Sequence, residues 1–120
     1  MQERRQGARH VISFPVRVTW KDENGPQSEE GLTENIGLAG TLIYLARKLP
    51  NVGTKVEVTV LENPADPVTV TAEVIRLERN PSHPQAALNL LEGMRAWKKK
   101  VYDFAAESVA SQSADGDDDW

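Results

Sequence analysis

Two arginines and a glycine-punctuated loop are the parts of this sequence with most to offer chemically. Arg5 and Arg9 stand four apart, a spacing that puts both side chains on one side of the chain in a helix and in a strand alike. Two convergent guanidinium forks suit phosphate oxygens, and Arg is also the side chain that reads guanine O6 and N7 with a bidentate pair. Arg4 adds a third cation next to them. The second feature is Asn35-Ile36-Gly37-Leu38-Ala39-Gly40. Glycines three apart bare the backbone N–H groups to close approach, and Asn35 offers a donor and an acceptor to a planar base edge. Taken singly, each feature has a plainer reading: a solvated basic arm and a tight loop between strands.

The remaining polar residues show no catalytic constellation. His10 and His83 are the only histidines, neither has a metal-ligand or triad neighbour at useful spacing, and both read as surface residues. Glu29 and Glu30 read as a solvated pair. Asp115-Gly116-Asp117-Asp118-Asp119 has the flavour of a calcium loop but lacks the Glu that closes a loop of about 12 residues. Cysteine is absent, which excludes disulfides, Fe–S clusters, thiolate zinc sites and a thiol nucleophile. The expectation is a binding protein rather than an enzyme, with no cofactor and no metal.

Charge narrows the ligand. The 120 residues carry 14 Lys and Arg against 18 Asp and Glu, a formal charge of −4. Asp115, Asp117, Asp118 and Asp119 account for the whole excess, so the body is electroneutral and the acid is in the tail. Long nucleic acid needs many phosphate contacts and a basic face, so no nucleic-acid partner is expected. A small anion held by a few local arginines fits better. The most apolar stretch, 37–46, falls well short of the roughly 18–20 residues that span a bilayer. The first ten residues are charged with no apolar run behind them, unlike a signal peptide. Membrane insertion is therefore not expected, and the location expected is cytoplasmic.

The elements that must position these groups follow from periodicity. Residues 1–10 are polar and aperiodic and read as a flexible Arg-rich arm. Ile12, Phe14, Val16, Val18 and Trp20 then share one parity, which predicts a half-buried strand with Pro15 at an edge or bulge. Asp22-Glu23-Asn24-Gly25-Pro26 is turn chemistry, and a shorter strand is predicted near 28–33. Further strands are predicted at 41–46, around Val56 to Val60, from Val68 onward and at 85–91. In the fifth, the apolar parity slips after Val74 to Ile75 and Leu77, which predicts a bulge or corner. After Gly93 the period changes: Met94, Trp97, Val101, Phe104, Ala105, Ser108 and Val109 form the stripe of an amphipathic helix. Residues 11–110 are thus the folded part, and the acidic residues 111–120 read as a disordered tail. Six short strands and one helix fit a small antiparallel barrel or a sandwich; a helix that must cover an open end favours the barrel.

In this order and on this scaffold, the two features resemble the PilZ domain family. The resemblance rests on Arg5-x-x-x-Arg9 just before the first barrel strand and Asn35-x-Gly37-x-x-Gly40 some twenty-five residues later. Phe14-Pro15-Val16-Arg17-Val18-Thr19-Trp20, Leu49-Pro50 with Val52-Gly53-Thr54, Val74-Ile75-Arg76 and the closing helix extend it over about residues 4–109. It implies a six-stranded antiparallel β-barrel with one C-terminal helix that binds cyclic di-GMP. Arg5 and Arg9 would clasp phosphates and guanine edges with Arg4 as helper, while Asn35, Gly37 and Gly40 would supply the second motif. The arm would order on the ligand and signal to a partner protein. Gly37 stands where the family has Ser. The missing hydroxyl costs about 0.5–1.5 kcal/mol, up to tenfold in affinity, with the Gly37 N–H still expected to be available. Restoring Ser should then tighten binding. The alternative is a PilZ-like protein-interaction module that no longer binds the nucleotide.

Overall fold

The computed structural model describes residues 9–118, with side chains as far as Ala110. Six antiparallel strands form it: β1 (Pro15–Asp22), β2 (Gly25–Ile36), β3 (Gly40–Leu45), β4 (Lys55–Val60), β5 (Val68–Glu78) and β6 (Gln85–Glu92). They close into a barrel in the order β1-β2-β3-β6-β5-β4. Closure comes from β1 lying against β4, with Val16 opposite Val60 and Val18 opposite Val58. This settles the choice between barrel and sandwich.

Alternation does what period-2 patterning requires. Val16, Val18 and Trp20 of β1, Val56, Val58 and Val60 of β4, and Val68, Val70, Ala72 and Val74 of β5 all point into the buried core. Fully burying a valine is worth about 1.5–3 kcal/mol, so these inward rows carry much of the stability. The strand predicted from Ile12 begins instead at Pro15, the one strand position where a missing N–H is harmless. Phe14 before it is held by a side chain: its N–H donates to Thr33 Oγ1 at 2.8 Å, and that hydroxyl donates to the Ile12 carbonyl at 2.5 Å.

Two of the three register shifts in the wall lie beside the residues of interest. In β2 the register passes from Thr33 opposite Ile43 directly to Asn35 opposite Leu42, leaving Glu34 as the extra residue. Unbroken alternation from the buried Thr33 would send Asn35 inward. The bulge turns Ile36 into the core and leaves Asn35 half-buried on the outside. In β5 the predicted slip falls between Val74 and Arg76. Ile75 is the extra residue and is 53% exposed rather than inward, while Leu77 packs on the core.

One end of the barrel is covered by α1 (Met94–Trp97), a π-helical turn (Lys98–Tyr102) and α2 (Asp103–Asp118), which run on as a single C-terminal helix. Among its described side chains, Trp97, Val101 and Ala105 are buried. Their four-residue spacing is wider than an α-helical turn, and the π turn slackens the coil enough to align them. The same change of phase carries Phe104 off the predicted stripe and leaves it 44% exposed; Met94, at the start of the helix before the π turn, is exposed to the same extent. Backbone over 111–118 continues this helix where composition predicts an unstructured tail. Extending an existing helix costs far less than starting one, which lets a polar stretch follow a docked segment.

Candidate functional site

Arg9 and His10 are the described end of the predicted arm, and the barrel holds both. His10 and Ile36 exchange two backbone hydrogen bonds of 2.9 Å, and the His10 ring lies 4.9 Å from that of Tyr102. The chain is thereby fixed at residues the sequence assigns to the arm. Arg9 then reaches Asn35, donating its Nε–H to Oδ1 at 3.1 Å. Arg4 and Arg5 lie outside the described residues.

Asn35 stands at the end of β2, turned outward by the Glu34 bulge and held by Thr41, whose hydroxyl donates to the Asn35 carbonyl at 2.6 Å. The loop beyond it is closed by the Gly37 N–H donating to the Gly40 carbonyl at 2.8 Å. That bond corrects one expectation: the Gly37 amide is engaged within the loop. From the other side, the buried Trp97 donates its indole N–H to the Gly37 carbonyl at 2.8 Å. One side chain of the closing helix thus anchors the glycine loop across sixty residues of sequence.

The glycines serve close approach rather than unusual dihedrals. A Cβ on Gly40 would stand 2.7 Å from the Leu88 carbonyl oxygen, a main-chain atom that cannot swing aside. Gly40→Ala should therefore push β3 from β6 and cost about 1–3 kcal/mol in urea unfolding; an unchanged midpoint would show the strands have slack there. A Cβ on Gly37 would meet the Arg9 guanidinium, 2.6 Å from Nη1. That neighbour is the far end of a flexible side chain. Gly37→Ser should displace Arg9 from Asn35, seen as faster exchange of the Arg9 Nε–H, with the melting temperature within about 2 °C of wild type. A larger loss of stability would mean that the loop itself cannot take a side chain.

Arg9, Asn35 and Gly40 line a recess of about 280 Å³ together with Thr41, Leu42, Ile75, Arg76, Ala87, Leu88 and Asn89. Its lining is mainly polar, with two guanidinium groups and two Asn amides among aliphatic side chains and no carboxylate. Arg76 also pairs with Glu78 at 3.0 Å. Such a recess can take a planar, anionic ligand: aliphatic side chains such as Leu42 and Ile75 for a ring face, Asn amides for an edge, Arg forks for phosphate. Periodicity marks Ile75 and Arg76 only through the phase slip, and Asn89 has no signal in sequence at all. A larger groove, about 570 Å³, lies between the β1–β2 hairpin and β4, lined by Trp20, Lys21, Pro26, Lys55 and Val56. It contains none of the residues the sequence selects. Among the described residues no three His, Asp or Glu are grouped to hold a metal ion, and no helix is long and apolar enough to cross a membrane.

Comparison with known proteins bears on the family and the fold. The PilZ domain family matches residues 3–95. Among solved structures, the Bacillus subtilis inhibitor of motility MotI/DgrA superposes with a TM-score of 0.70 at 18% identity, covering 89% of this chain and 51% of that one. The PilZ domain of YcgR from Escherichia coli, solved with cyclic di-GMP, gives 0.69 at 15% identity, covering 94% and 98%. A YcgR structure in complex with the same nucleotide gives 0.67 at 17%, covering 95% and 50%. At these identities the likeness establishes the fold, and the chain spans about half the length of MotI/DgrA and of that YcgR chain. No curated protein matches the sequence.

Proposed function

This chain belongs to the PilZ domain family, and on that footing we propose that it is a cyclic di-GMP receptor that fixes its N-terminal arm on the ligand and signals to a partner protein. The observation that carries the reading is the Arg9–Asn35 contact at the mouth of the recess. It joins the two halves of the motif, 26 residues apart, at the place where a nucleotide would lie.

The ligand would exchange weak contacts for strong ones. The Arg9–Asn35 bond is exposed and joins a cation to a neutral amide. A phosphate offers Arg9 a charge-assisted bond worth about 1.5–3 kcal/mol and frees Asn35 for a guanine edge. Ordering backbone costs about 1–2 kcal/mol per residue, so fixing residues 1–8 across the barrel needs several such contacts, from Arg4 and Arg5 as well as Arg9. The surface so created, arm plus ligand, exists only in the bound state and is what a partner would read.

A second reading has its own support. Gly37 offers no hydroxyl, its amide serves the loop, and the space a Ser side chain would take is filled by the Arg9 guanidinium. This favours a module that keeps the fold for protein contact alone. Calorimetric titration with cyclic di-GMP separates the two. Saturable binding that disappears with high salt supports the receptor; no heat of binding at millimolar nucleotide promotes the interaction module.

A further inference from the structure

The Glu34 bulge that turns Asn35 outward is clamped from a different part of the chain. His83, in the loop between β5 and β6, meets the Glu34 carboxylate with Nε2 2.5 Å from Oε2. Its ring stacks on Tyr44 of β3, centroids 4.5 Å apart and planes within 10°. The loop that delivers it is itself braced. The His83 N–H donates to the Asn80 carbonyl at 3.0 Å, Ser82 donates N–H and hydroxyl to Asn80 Oδ1, and the Leu45 N–H donates to the Pro84 carbonyl at 3.2 Å.

We propose that His83 and Glu34 form a positioning pair that holds the β2 bulge in the one arrangement that presents Asn35 to Arg9 and to a ligand. Side chains alternate along a strand, so losing the extra residue from the bulge would reverse the facing of whatever lies beyond it. Ile36 and Asn35 compete for the inward position, and both ends of Glu34 decide the outcome: its backbone is out of register, and its carboxylate is tied to a ring stacked on Tyr44 of β3. Neither residue lines the recess. Their effect on it passes through Asn35. The sequence alone assigns His83 to the surface with no role.

This inference rests on the ligand reading above only in its second measurement. The first needs no ligand: exchange of the Arg9 Nε–H with solvent, followed by NMR in wild type, His83→Ala, His83→Gln and Glu34→Ala. Gln places its amide nitrogen near where the imidazole Nε2 lies, so it can restore the bond to Glu34. Expected is exchange about tenfold faster in His83→Ala and Glu34→Ala, recovered in His83→Gln, with unchanged far-UV circular dichroism. Unchanged exchange in His83→Ala overturns the proposal, as does failure of His83→Gln to recover it. The second measurement is cyclic di-GMP affinity in a double-mutant cycle. His83→Ala should weaken binding about three- to tenfold in the wild-type background and not at all in Asn35→Ala. An equal loss in both backgrounds overturns action through Asn35. If the wild type binds no nucleotide, the receptor reading fails while the exchange data still decide the clamp.

Discussion

Replacing Arg9 by Ala is expected to weaken cyclic di-GMP binding about ten- to a hundredfold while leaving the melting temperature within about 2 °C of wild type. The separation of the two effects follows from where the side chain lies. Arg9 is exposed, and its bond to Asn35 is between a cation and a neutral amide at the surface, so little folding stability depends on that bond. Toward a doubly charged ligand the same guanidinium would make charge-assisted bonds of about 1.5–3 kcal/mol each. Lys in its place should recover only part of the affinity, because an ammonium keeps the charge but not the planar fork. Calorimetry and thermal unfolding on the same preparations read both quantities. Equal affinity in the variant would reject Arg9 as a ligand residue, and a large drop in melting temperature would make it structural.

Trp97 should give the largest stability change of the described residues around the recess. It is fully buried under the barrel end and donates to the Gly37 carbonyl. Trp97→Ala leaves a cavity where the helix meets the barrel and should cost about 3–5 kcal/mol. Trp97→Phe divides that total. The ring largely remains, but the Gly37 carbonyl loses its donor, which should cost about 1–3 kcal/mol. The Phe variant should also bind nucleotide more weakly, since the loop carrying Gly37 and Gly40 would no longer be held from behind. Urea unfolding reads the first effect and titration the second. If Trp97→Phe matches wild type in both, the indole bond is incidental to the loop.

How far the sequence led depends on the kind of signal each feature leaves. Strands with one buried face write an alternating pattern, so β1, β4 and β5 were legible in their valines. So was the slip at Val74, because an apolar pattern has a phase to lose. The β2 bulge was not legible: Glu34 and Asn35 are both polar, and a slip between two polar residues changes no apolar parity. The π turn was hidden for a related reason. Trp97, Val101 and Ala105 fit a helical stripe nearly as well at four residues per turn as at 3.6, and only Phe104, left partly outside, betrays the difference. Barrel closure by β1 on β4 depends on pairing across about forty residues, which no local window reports.

The candidate site divides in the same way. Arg9, Asn35 and Gly40 were selected by type, spacing and resemblance, and the fold brings them to one recess. The engaged Gly37 amide leaves no mark in the sequence, since a short loop closing on its own carbonyl is a matter of conformation. His83 left no signal because Glu34 is 49 residues away in sequence. An isolated histidine gains a role only when folding supplies its neighbour.

The central claim is that Arg9 and its arm close over a guanine nucleotide lodged beside the glycine loop. An NMR titration with cyclic di-GMP tests it most directly, following the Arg9 Nε–H together with the amides of Gly37, Gly40 and Asn89 and the side-chain signals of Arg4 and Arg5. The account predicts that all of these shift along one saturable curve and that the arginine Nε–H signals become protected from solvent. Shifts confined to the groove around Trp20 and Lys55, or no shifts at all, would contradict it.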